Sequence, residues 1–445
     1  MSFIIDKQTQ EDLNLLGKFK KNSIINLFNQ THTRRGELLL ERMFMTPLQD
    51  TEQINQRSSV IKYFEEIDVE FPVPNSLYSD VISYIESSSG SKLSTVLGTI
   101  SKKINFFIVG DNSFEIIQKG IVSMAKMLNI VKEFIDKINL SDNPYQVQSD
   151  EIKSIFDNKL SAVIANQNFE HLSFIQTLRY DKLFRYRYRY QLGRLIEILS
   201  EIDVFIAVSK TARVKKMSYA RAIPKEEHST QIKDLFHPSL KTPVSNSVSI
   251  NRNKNIIFLT GANMAGKSTF MKSYGIATYL AHMGFPVPAK EMTFSVLDGM
   301  YTSINVPDNI ALGYSHFYAE VLRVKQVAEE VSKSKNMLII FDELFKGTNV
   351  KDAFDATVSV TEAFGKWDNC AYIISTHIVE AGEVLLNNNN IQFLYLPTKL
   401  DNNRPLYTYK LEQGISSDRH GMMIINNERI VEIIKDKSKT IKFDK

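Results

Sequence analysis

The sequence has very little cysteine and no long hydrophobic run. Its 445 residues include one cysteine, Cys370, which excludes an intrachain disulfide and a cysteine-rich zinc site. No stretch approaches the roughly 18 consecutive apolar residues that a membrane-spanning helix needs. The N-terminus, MSFIIDKQTQEDL, lacks the basic start and apolar run of a signal peptide. These absences predict a reduced, soluble, cytoplasmic protein without a membrane partner.

The sequence also lacks a strong excess of either charge. The formal net charge is +4, with 43% hydrophobic and 23% charged residues, as in an ordinary globular protein. A nucleic-acid partner is compatible with this balance but is not required by it. The length suffices for two or three domains that each bury a core.

The first half of the chain, residues 1–223, is predicted to be helical. Two segments repeat apolar residues at alternating spacings of three and four. They are Ile117, Ile121, Met124, Leu128, Val131, Ile135 and Ile138, and then Leu192, Leu195, Leu199, Ile202 and Ile206. This period fits a helix that packs lengthwise on another. It describes two core helices of a bundle and a pair of long antiparallel levers equally well.

The second half, residues 224–445, alternates short apolar runs with helical stretches. The runs are Asn255–Thr260, Met337–Phe341, Ala371–Ser375 and Ile391–Leu396. Short buried strands that alternate with helices are typical of a parallel sheet with crossover helices. We therefore predict an α/β domain after the helical one, with the boundary between residues 223 and 224.

The first of these runs leads into a glycine-rich loop, GANMAGKST. The loop has the Walker A, or P-loop, pattern G-x4-G-K-S/T, between a strand and a helix as the motif requires. Gly261 and Gly266 allow the backbone N–H groups to converge on phosphates. Lys267 brings an ammonium group to the outer phosphates, and the Ser268 hydroxyl suits Mg²⁺. The pattern predicts nucleotide binding.

The run Met337–Phe341 ends in two carboxylates, Asp342 and Glu343. In a P-loop sheet, such an aspartate holds magnesium through water, and an adjacent glutamate takes the proton from the attacking water. The alternative is the ordinary polar end of a buried strand. The P-loop favours the catalytic interpretation.

Several further stretches resemble the MutS family of DNA mismatch-repair ATPases over most of the chain. The loop differs by one residue from the family's GPNMAGKST. Other matching segments, in order, are IIDKQTQEDLNLL, TRRGELLLERMFMTPLQDTEQINQR, LSEIDVFIAVSKTARVKKMSYARAIP, HPSL, DNIALGYSHFYAE, FDELFKGTN, STH and YKLEQGISSDRHGM. Several motifs in the family's order make this resemblance more specific than the loop alone.

The resemblance implies an ABC-type P-loop ATPase domain preceded by an all-α core and lever domain. It implies a dimer, here a homodimer, whose two subunits enclose two ATP molecules with Mg²⁺. The phosphate-binding residues would be Gly261, Ala262, Asn263, Met264, Ala265, Gly266, Lys267, Ser268 and Thr269. Ser268 and Asp342 would hold magnesium, and Lys267 and Glu343, the general base, would be catalytic together with His377.

Two of these assignments have simpler alternatives. The resemblance implies that His377 senses the γ-phosphate and that Ser315 contacts the γ-phosphate in the partner's site. His377 would otherwise be a histidine at a strand end whose hydrogen bonds are made within the fold. Ser315 would otherwise be a helix N-cap.

The sequence departs from the family pattern in several places. The mismatch-reading and connector domains have no counterpart, and the break Ser141–Glu151 is too short for a full clamp. The sequence Phe64-Glu65-Glu66 matches the family's Phe-x-Glu wedge only formally, because it lies in a predicted core helix. Ala262 replaces a proline, which costs the loop only some rigidity. Phe345 and Lys346 replace glycine and arginine after Glu343, and this change puts the geometry and rate of the composite site in question, but not nucleotide binding.

The stretch RYDKLFRYRYRY, Arg179–Tyr190, has the composition of a nucleic-acid contact. Arginine suits phosphates, and tyrosine suits stacking on bases. On a regular helix, however, alternate residues diverge around the axis. The alternative is a lever helix with packed tyrosines and extended arginines.

Together these observations predict a MutS-like ATPase. It would couple ATP binding and hydrolysis in a dimer to binding of duplex or branched DNA, without sequence specificity and without the mismatch-reading domain. The alternative is a slow ATP-driven switch or scaffold that does not bind DNA directly.

Overall fold

A computed structural model of the chain describes residues 2–17, 23–87, 101–102, 113–138, 143–156, 158–165, 169, 172–304, 316–401, 404–416 and 430–435. The chain forms two compact units. The sheet unit comprises Met1–Ile24, Thr46–Asn55 and Lys215–Lys445, and the helical unit comprises Ile25–Met45 and Gln56–Val214. The predicted boundary at 223/224 divides the sequence at one point, whereas the chain crosses from one of these units to the other four times. The boundary therefore stays a prediction about sequence domains.

The first helix, α1 (Lys7–Asp12), belongs to the sheet unit, and the described part of the helical unit contains helices and their connections only. These helices are α2 (Ile24–Phe28), α3 (Arg34–Met45), α4 (Thr51–Ile67), α5 (Asn75–Glu86), α6 (Ser113–Ile138), α7 (Gln146–Ile155), α8 (Asn158–Ala165), α9 (Phe174–Lys182), a π-helical turn (Leu183–Arg187) and α10 (Arg189–Lys215). The first residues of α2 and α4 and the last residue of α10 belong to the sheet unit.

The two long helices predicted from the apolar repeats are α6 and α10. Every residue of both repeats is buried. The most extensive helix contact of α6 is with α5. The two helices approach so closely that a Cβ added at Gly120 would lie 2.4 Å from the Cβ of Tyr84. The repeat of α6 thus packs in a bundle with a shorter helix.

The formal Phe-x-Glu match lies in the core of the helical unit. Phe64, on α4, is buried, and its ring lies 5.5 Å from that of Tyr145 and 6.1 Å from that of Phe205. An aromatic side chain packed between rings of two other segments stabilises the bundle. The interpretation of this stretch as part of a core helix is confirmed for Phe64.

A buried carboxylate fixes the start of α3. Asp203, in the middle of α10, accepts hydrogen bonds from the backbone N–H groups of His32 and Thr33, both at 2.8 Å, and from the Thr33 hydroxyl at 2.7 Å. A helix N-terminus leaves its first N–H groups without helical partners, so a carboxylate is well placed there. Gly36 allows this approach, because a Cβ at that position would lie 2.3 Å from Oδ2 of Asp203.

The sheet unit is mixed α/β. After α1 its described elements are β1 (Ser218–Tyr219), β2 (Arg221–Ile223), a 3-10 turn (Lys225–Glu227), β3 (Ser229–Leu235), β4 (Asn246–Asn251), β5 (Ile256–Gly261), α11 (Lys267–His282), β6 (Pro286–Val287), β7 (Glu291–Ser295), β8 (Gly299–Ser303), α12 (His316–Val331), β9 (Met337–Asp342), α13 (Val350–Gly365), β10 (Ala371–Ser375), α14 (Val379–Leu385), β11 (Ile391–Leu396), β12 (Thr398–Asp401), β13 (Arg404–Tyr407), β14 (Glu412–Gln413) and α15 (Ile430–Lys435). All four strands predicted from the apolar runs are present.

The central sheet has the strand order β14-β11-β5-β10-β9-β8. Its five longer strands run parallel, and β14 pairs antiparallel with β11. Strands β5 and β9 are almost completely buried, as expected for parallel strands covered on both faces. A second sheet has four strands in the order β2-β7-β3-β4. The carboxyl ends of the central parallel strands share one edge of the sheet, where ligands commonly bind.

The N-terminal segment, residues 2–17, covers the edge strand β8. Ile4 donates its N–H to the carbonyl of Asp298 and accepts from the N–H of Met300, both at 2.9 Å. Farther along, the Asp12 carboxylate accepts from the Thr302 hydroxyl at 2.7 Å and from the Ile304 N–H at 2.9 Å. This pairing satisfies backbone groups that an exposed edge strand would leave open.

Candidate functional site

The glycine-rich loop connects the end of β5 with the start of α11. Gly261 has φ +144° and Gly266 has φ +106°, so both lie in the region that favours glycine. Space is also restricted, because a Cβ at Gly261 would lie 3.2 Å from the carbonyl oxygen of Leu396. A Cβ at Gly266 would lie 3.1 Å from the ring of Tyr409. Conformation and space thus both require glycine at these positions.

Lys267 points back into the loop. Its Nζ donates to the carbonyl oxygens of Gly261 at 2.9 Å and Ala262 at 3.3 Å. Burial lowers the pKa of this lysine, and the carboxylates of Glu343 and Asp342 oppose the shift. The loop therefore holds a desolvated ammonium group at its centre, which favours an anionic ligand.

Asp342 lies at the centre of an oxygen cluster at the strand ends. Its Oδ2 accepts a hydrogen bond from the Ser268 hydroxyl and its Oδ1 accepts one from the Ser375 hydroxyl, both at 2.5 Å. Asp342 and Ser375 are direct partners in the β9–β10 pairing. Hard oxygen ligands of this kind suit Mg²⁺.

The oxygen cluster is too small to hold a metal ion alone. In the described part of the chain, no three His, Cys, Asp or Glu side chains form a metal-binding group. A magnesium ion here would need further oxygen ligands, such as phosphate oxygens or water. The residues present fit a nucleotide-bound ion, as the sequence predicted for Ser268 and Asp342. Ser375 is the first residue of the STH motif. Only the register of strands β9 and β10 places it opposite Asp342.

Glu343 and His377 lie near each other beyond the strand ends. Glu343 adopts φ +53°, and its N–H donates to the carbonyl of Ser375 at 3.0 Å. Its Oε1 is 4.0 Å from Nδ1 of His377, whose side chain is more exposed, at 57% against 25%. This unusual backbone conformation is held by the hydrogen bond that the Glu343 N–H donates to the neighbouring strand. It directs a partly exposed carboxylate to the cavity beside the loop.

The segment after Glu343 contains the two residues, Phe345 and Lys346, that depart from the family pattern. Phe345 has φ +61°, is buried, and lies 6.1 Å from the ring of Phe317 on α12. A Cβ at Gly347 would lie 2.8 Å from the backbone nitrogen of Phe317. Lys346 is exposed. A phenylalanine in a conformation that favours glycine is thus retained by packing against α12.

A cavity of about 540 Å³ opens beside the loop. Its walls include the loop residues from Ala262 to Phe270, except Ala265, and Glu343. The remaining lining residues are mainly apolar or aromatic: Leu235, Phe236, His237, Leu240, Thr242, Val244, Asn246, Ser273, Leu396 and Tyr409. Asn246 anchors one wall by donating to the Tyr409 carbonyl at 2.9 Å and accepting from the Leu411 N–H at 2.8 Å.

The apolar wall of this cavity escaped sequence reasoning. HPSL, residues 237–240, and Tyr409, the first residue of YKLEQGISSDRHGM, belong to two separate segments that match the family. Their convergence depends on segments more than a hundred positions apart, so the signal available in the sequence was the presence of both motifs, without their juxtaposition.

Ser315 lies outside the described residues. So does most of the DNIALGYSHFYAE segment, of which the structure describes His316–Glu320 as the start of α12. The last motif is described only from Tyr409 to Ser416. The role of Ser315 in a partner's site therefore stays a prediction.

Comparison with known families identifies both halves of the chain. Residues 8–209 match the family model of MutS domain III, and residues 257–442 match that of MutS domain V. The two matches lie in the order that the motifs indicated. The chain belongs to the MutS family.

The curated relatives that match the chain are named as MutS proteins. The chain is 23% identical to the DNA mismatch repair protein MutS of Leuconostoc mesenteroides, covering 95% of this chain and 60% of that protein. It is 26% identical to the DNA mismatch repair protein MutS of Listeria monocytogenes over 53% of this chain and 27% of that protein. The MutS of Pseudothermotoga lettingae is 28% identical over 52% of this chain and 28% of its own length. The chain thus spans at most about 60% of these relatives.

None of the helices in the described residues is both long enough and apolar enough to cross a membrane.

Proposed function

We propose that the chain is a MutS-like ATPase that binds ATP with Mg²⁺ at the glycine-rich loop and hydrolyses it. The observation that carries the proposal is the position of the Ser268 hydroxyl, 2.5 Å from the Asp342 carboxylate, with Glu343 as the next residue. A magnesium ligand pair beside a candidate base is the arrangement that nucleotide hydrolysis by a P-loop ATPase requires. Membership of the MutS family supports it, since matching relatives are named mismatch repair proteins.

Within this proposal the loop residues bind the phosphates. The backbone N–H groups of residues 261–269 and the N-terminus of α11 would donate to phosphate oxygens. Lys267 would exchange its hydrogen bonds to Gly261 and Ala262 for bonds to the outer phosphates, whose negative charge would offset the desolvation of its ammonium group. Bound magnesium would supply positive charge to the phosphate oxygens, with Ser268 and Asp342 holding it directly or through water.

Glu343 would take the proton from the attacking water. Its carboxylate lines the cavity beside the loop, and the hydrogen bond from its N–H to Ser375 holds its backbone in place. His377, 4.0 Å away, would contact the γ-phosphate side of the same space. A base needs to lie within hydrogen-bond reach of its water, and Glu343 borders the cavity where that water would lie.

The apolar wall would hold the adenine. His237, Leu240 and Tyr409 offer flat or apolar surfaces beside the loop, and burial lowers the pKa of His237, which favours its neutral form. A neutral imidazole and a tyrosine ring can both stack on a purine.

The active unit would be a homodimer that works in the cytoplasm and couples ATP turnover to DNA. Ser315 would complete the partner's site, as the family resemblance implies. Mixing Ser315→Ala subunits with Lys267→Ala subunits tests this directly. In the mixed dimer one site keeps both residues, so about half of the activity of one wild-type dimer should return; no recovery would mean that the sites are not shared.

The slow switch or scaffold is the second candidate, and the altered segment at Phe345 favours it. DNA-stimulated ATPase activity separates the two. Stimulation by duplex, branched or single-stranded DNA supports the coupled ATPase, whereas ATP turnover that none of the three DNAs changes supports the scaffold.

Glu343→Gln tests the catalytic assignment. ATP binding should be retained, while single-turnover hydrolysis should fall about 10²- to 10⁴-fold, the range typical of a lost general base. Glu383→Gln, on an exposed position of α14, is the matched control and should leave both quantities unchanged. Hydrolysis at the wild-type rate in Glu343→Gln would remove Glu343 from this role.

A further inference from the structure

The arginine–tyrosine stretch, Arg179–Tyr190, divides into a packed half and an outer face. In the packed half, Arg185 is buried and donates to both carboxylate oxygens of Asp181, at 2.5 and 2.6 Å. It also donates to the Ser87 hydroxyl at 3.0 Å and lies 4.8 Å from the centre of the Tyr84 ring. The packed half is therefore accounted for by the fold.

The outer face consists of the exposed residues Arg179, Lys182, Tyr186, Arg187, Arg189 and Tyr190. Tyr190 is 84% exposed and Tyr186 is 44% exposed. Large aromatic rings exposed to this degree contribute little to the stability of the unit. Their presence among four cations is not accounted for by packing.

A π-helical turn creates this face. The Tyr188 N–H donates to the Leu183 carbonyl, five residues earlier, at 3.0 Å, which inserts one extra residue into the helical repeat. The insertion places Tyr188 inside, while the pairs on either side of it, residues 186–187 and 189–190, are exposed. Such insertions frequently occur at functional sites. The arginines of the stretch therefore do not all face one way, because Arg185 is packed, but Arg187 and Arg189 both lie on the exposed side.

The charge of the outer face has one sign. Four of its six residues are cations, and the one carboxylate within the stretch, Asp181, is buried and paired with Arg185. The nearest acidic residue beyond it on α10, Glu197, pairs with Arg194 at 3.2 Å. Phosphates therefore meet cations without a competing carboxylate from the stretch itself.

Open space lies next to Tyr190. A Cβ added at Gly193, three residues farther on, would meet nothing within 4 Å. Tyr186, Tyr190 and Gly193 line the same shallow depression together with Arg187, Arg189 and the ion pair of Arg194 and Glu197. A flat ligand can therefore approach the tyrosine rings from the side of the glycine.

We propose that the outer face binds single-stranded nucleic acid, with Arg187 and Arg189 on phosphates and Tyr186 and Tyr190 stacked on bases. Proteins that bind single strands combine cations with accessible aromatic rings, because every base offers a flat face for stacking. In an intact duplex the bases are already stacked on each other, so the rings would contribute little. This inference rests on the proposed function in one respect. It identifies single-stranded nucleic acid as the partner to which ATP turnover is coupled.

Substitutions at Gly193 test the charge of the face without removing any of its side chains. Gly193→Glu adds a carboxylate in open space, and Gly193→Gln is its uncharged match of the same shape. Binding of a fluorescent oligothymidine of about 16 nucleotides is measured by anisotropy at low salt. We expect Gly193→Glu to bind about tenfold more weakly than Gly193→Gln. Equal affinity of the two variants would overturn the proposal.

Salt dependence measures the phosphate contacts. The double variant Arg187→Gln/Arg189→Gln should lower the slope of log K against log salt by about 1.4, at roughly 0.7 per contact for single strands. The control removes two exposed cations from α6, Lys126→Gln/Lys132→Gln, and should keep the wild-type slope. A control that changes the slope as much as the double variant would reduce the effect to overall charge and overturn the assignment.

Stacking is tested by Tyr190→Leu against Tyr190→Phe. The phenylalanine variant should bind as the wild type does, and the leucine variant about tenfold more weakly, within the range measured for base–aromatic stacking. Equal binding of both variants, tighter binding of duplex than of oligothymidine, or no nucleic-acid binding by the wild type would each overturn the proposal. ATP binding by the same preparations keeps this outcome distinct from failure of the ATPase, because the variants leave the loop intact.

Discussion

The stability of the sheet unit should depend on pH through one buried histidine. His282 ends α11, the helix that follows the glycine-rich loop, and its side chain is fully buried. Its Nδ1 donates to the Thr278 carbonyl at 2.8 Å, and its Nε2 accepts from the Leu297 N–H at 2.9 Å. Both nitrogens are thus used by the neutral ring, and a second proton would displace the bond from Leu297.

The size of the effect follows from the pKa. Burial lowers the pKa of His282 from 6.5 to about 4, although the bond to Thr278 and the charge of Asp298 oppose the shift. Because the folded-state pKa is the lower one, the unfolded chain takes up the proton first as the pH falls. Stability is therefore lost between pH 6.5 and about 4. At about 1.4 kcal/mol per pKa unit, the loss is about 2 kcal/mol at pH 5 and about 3 kcal/mol at pH 4.

Denaturant unfolding of the wild type and His282→Gln measures this contribution. Glutamine keeps an acceptor for the Leu297 N–H but does not titrate. The chain's one tryptophan, Trp367, lies in the same unit as His282, so its fluorescence reports on the correct transition. The difference in unfolding free energy between the two proteins should shrink by about 2 kcal/mol from pH 7.5 to pH 5. Parallel pH profiles for the two proteins would refute the reasoning.

Three further outcomes are expected. Phe345→Gly removes the strain of a left-handed backbone conformation but also removes a ring packed on Phe317. The free energy of unfolding of the sheet unit should therefore fall by about 3 kcal/mol, while ATP binding is retained. A more stable variant would show that strain outweighs packing. Gly36→Ala puts a methyl group 2.3 Å from Asp203, and thermal unfolding followed by circular dichroism should show a loss of about 2 kcal/mol, whereas a neutral change would mean that α3 shifts freely. Ser268→Ala should weaken ATP binding about tenfold with magnesium and hardly at all in its absence, as titration with a fluorescent ATP analogue can show; equal loss in both conditions would contradict a role in holding the ion.

The elements that follow directly from local patterning were predictable. The four apolar runs became strands because a parallel strand buried on both faces has little alternative to continuous apolar residues. The repeats at Ile117–Ile138 and Leu192–Ile206 became long helices because their spacing places apolar groups along one side. The loop was predictable from the spacing of Gly261, Gly266 and Lys267 between a strand and a helix.

What escaped prediction depends on distant contacts. Phe345 occupies a backbone region that favours glycine, and only the space beside Phe317 shows how it is tolerated. The apolar wall forms where residues near 237 and 409 converge. The arginines of the arginine–tyrosine repeat diverge as expected, since Arg185 is buried and Arg187 and Arg189 are exposed, but no rule of helical spacing places the extra residue at Tyr188 in advance.

The pairing of the N-terminal segment with β8 affects the order in which the chain is completed during synthesis. The Thr302 N–H bonds to the Thr9 hydroxyl 293 positions earlier in the chain. At roughly 5 to 20 residues per second, the ribosome needs about 15 to 60 s to make the intervening residues. Throughout that interval Thr9 and Asp12 are outside their final contacts, and the whole helical unit is translated in the meantime. The sheet unit is therefore finished late, although some of its contacts are made by residues that leave the ribosome early.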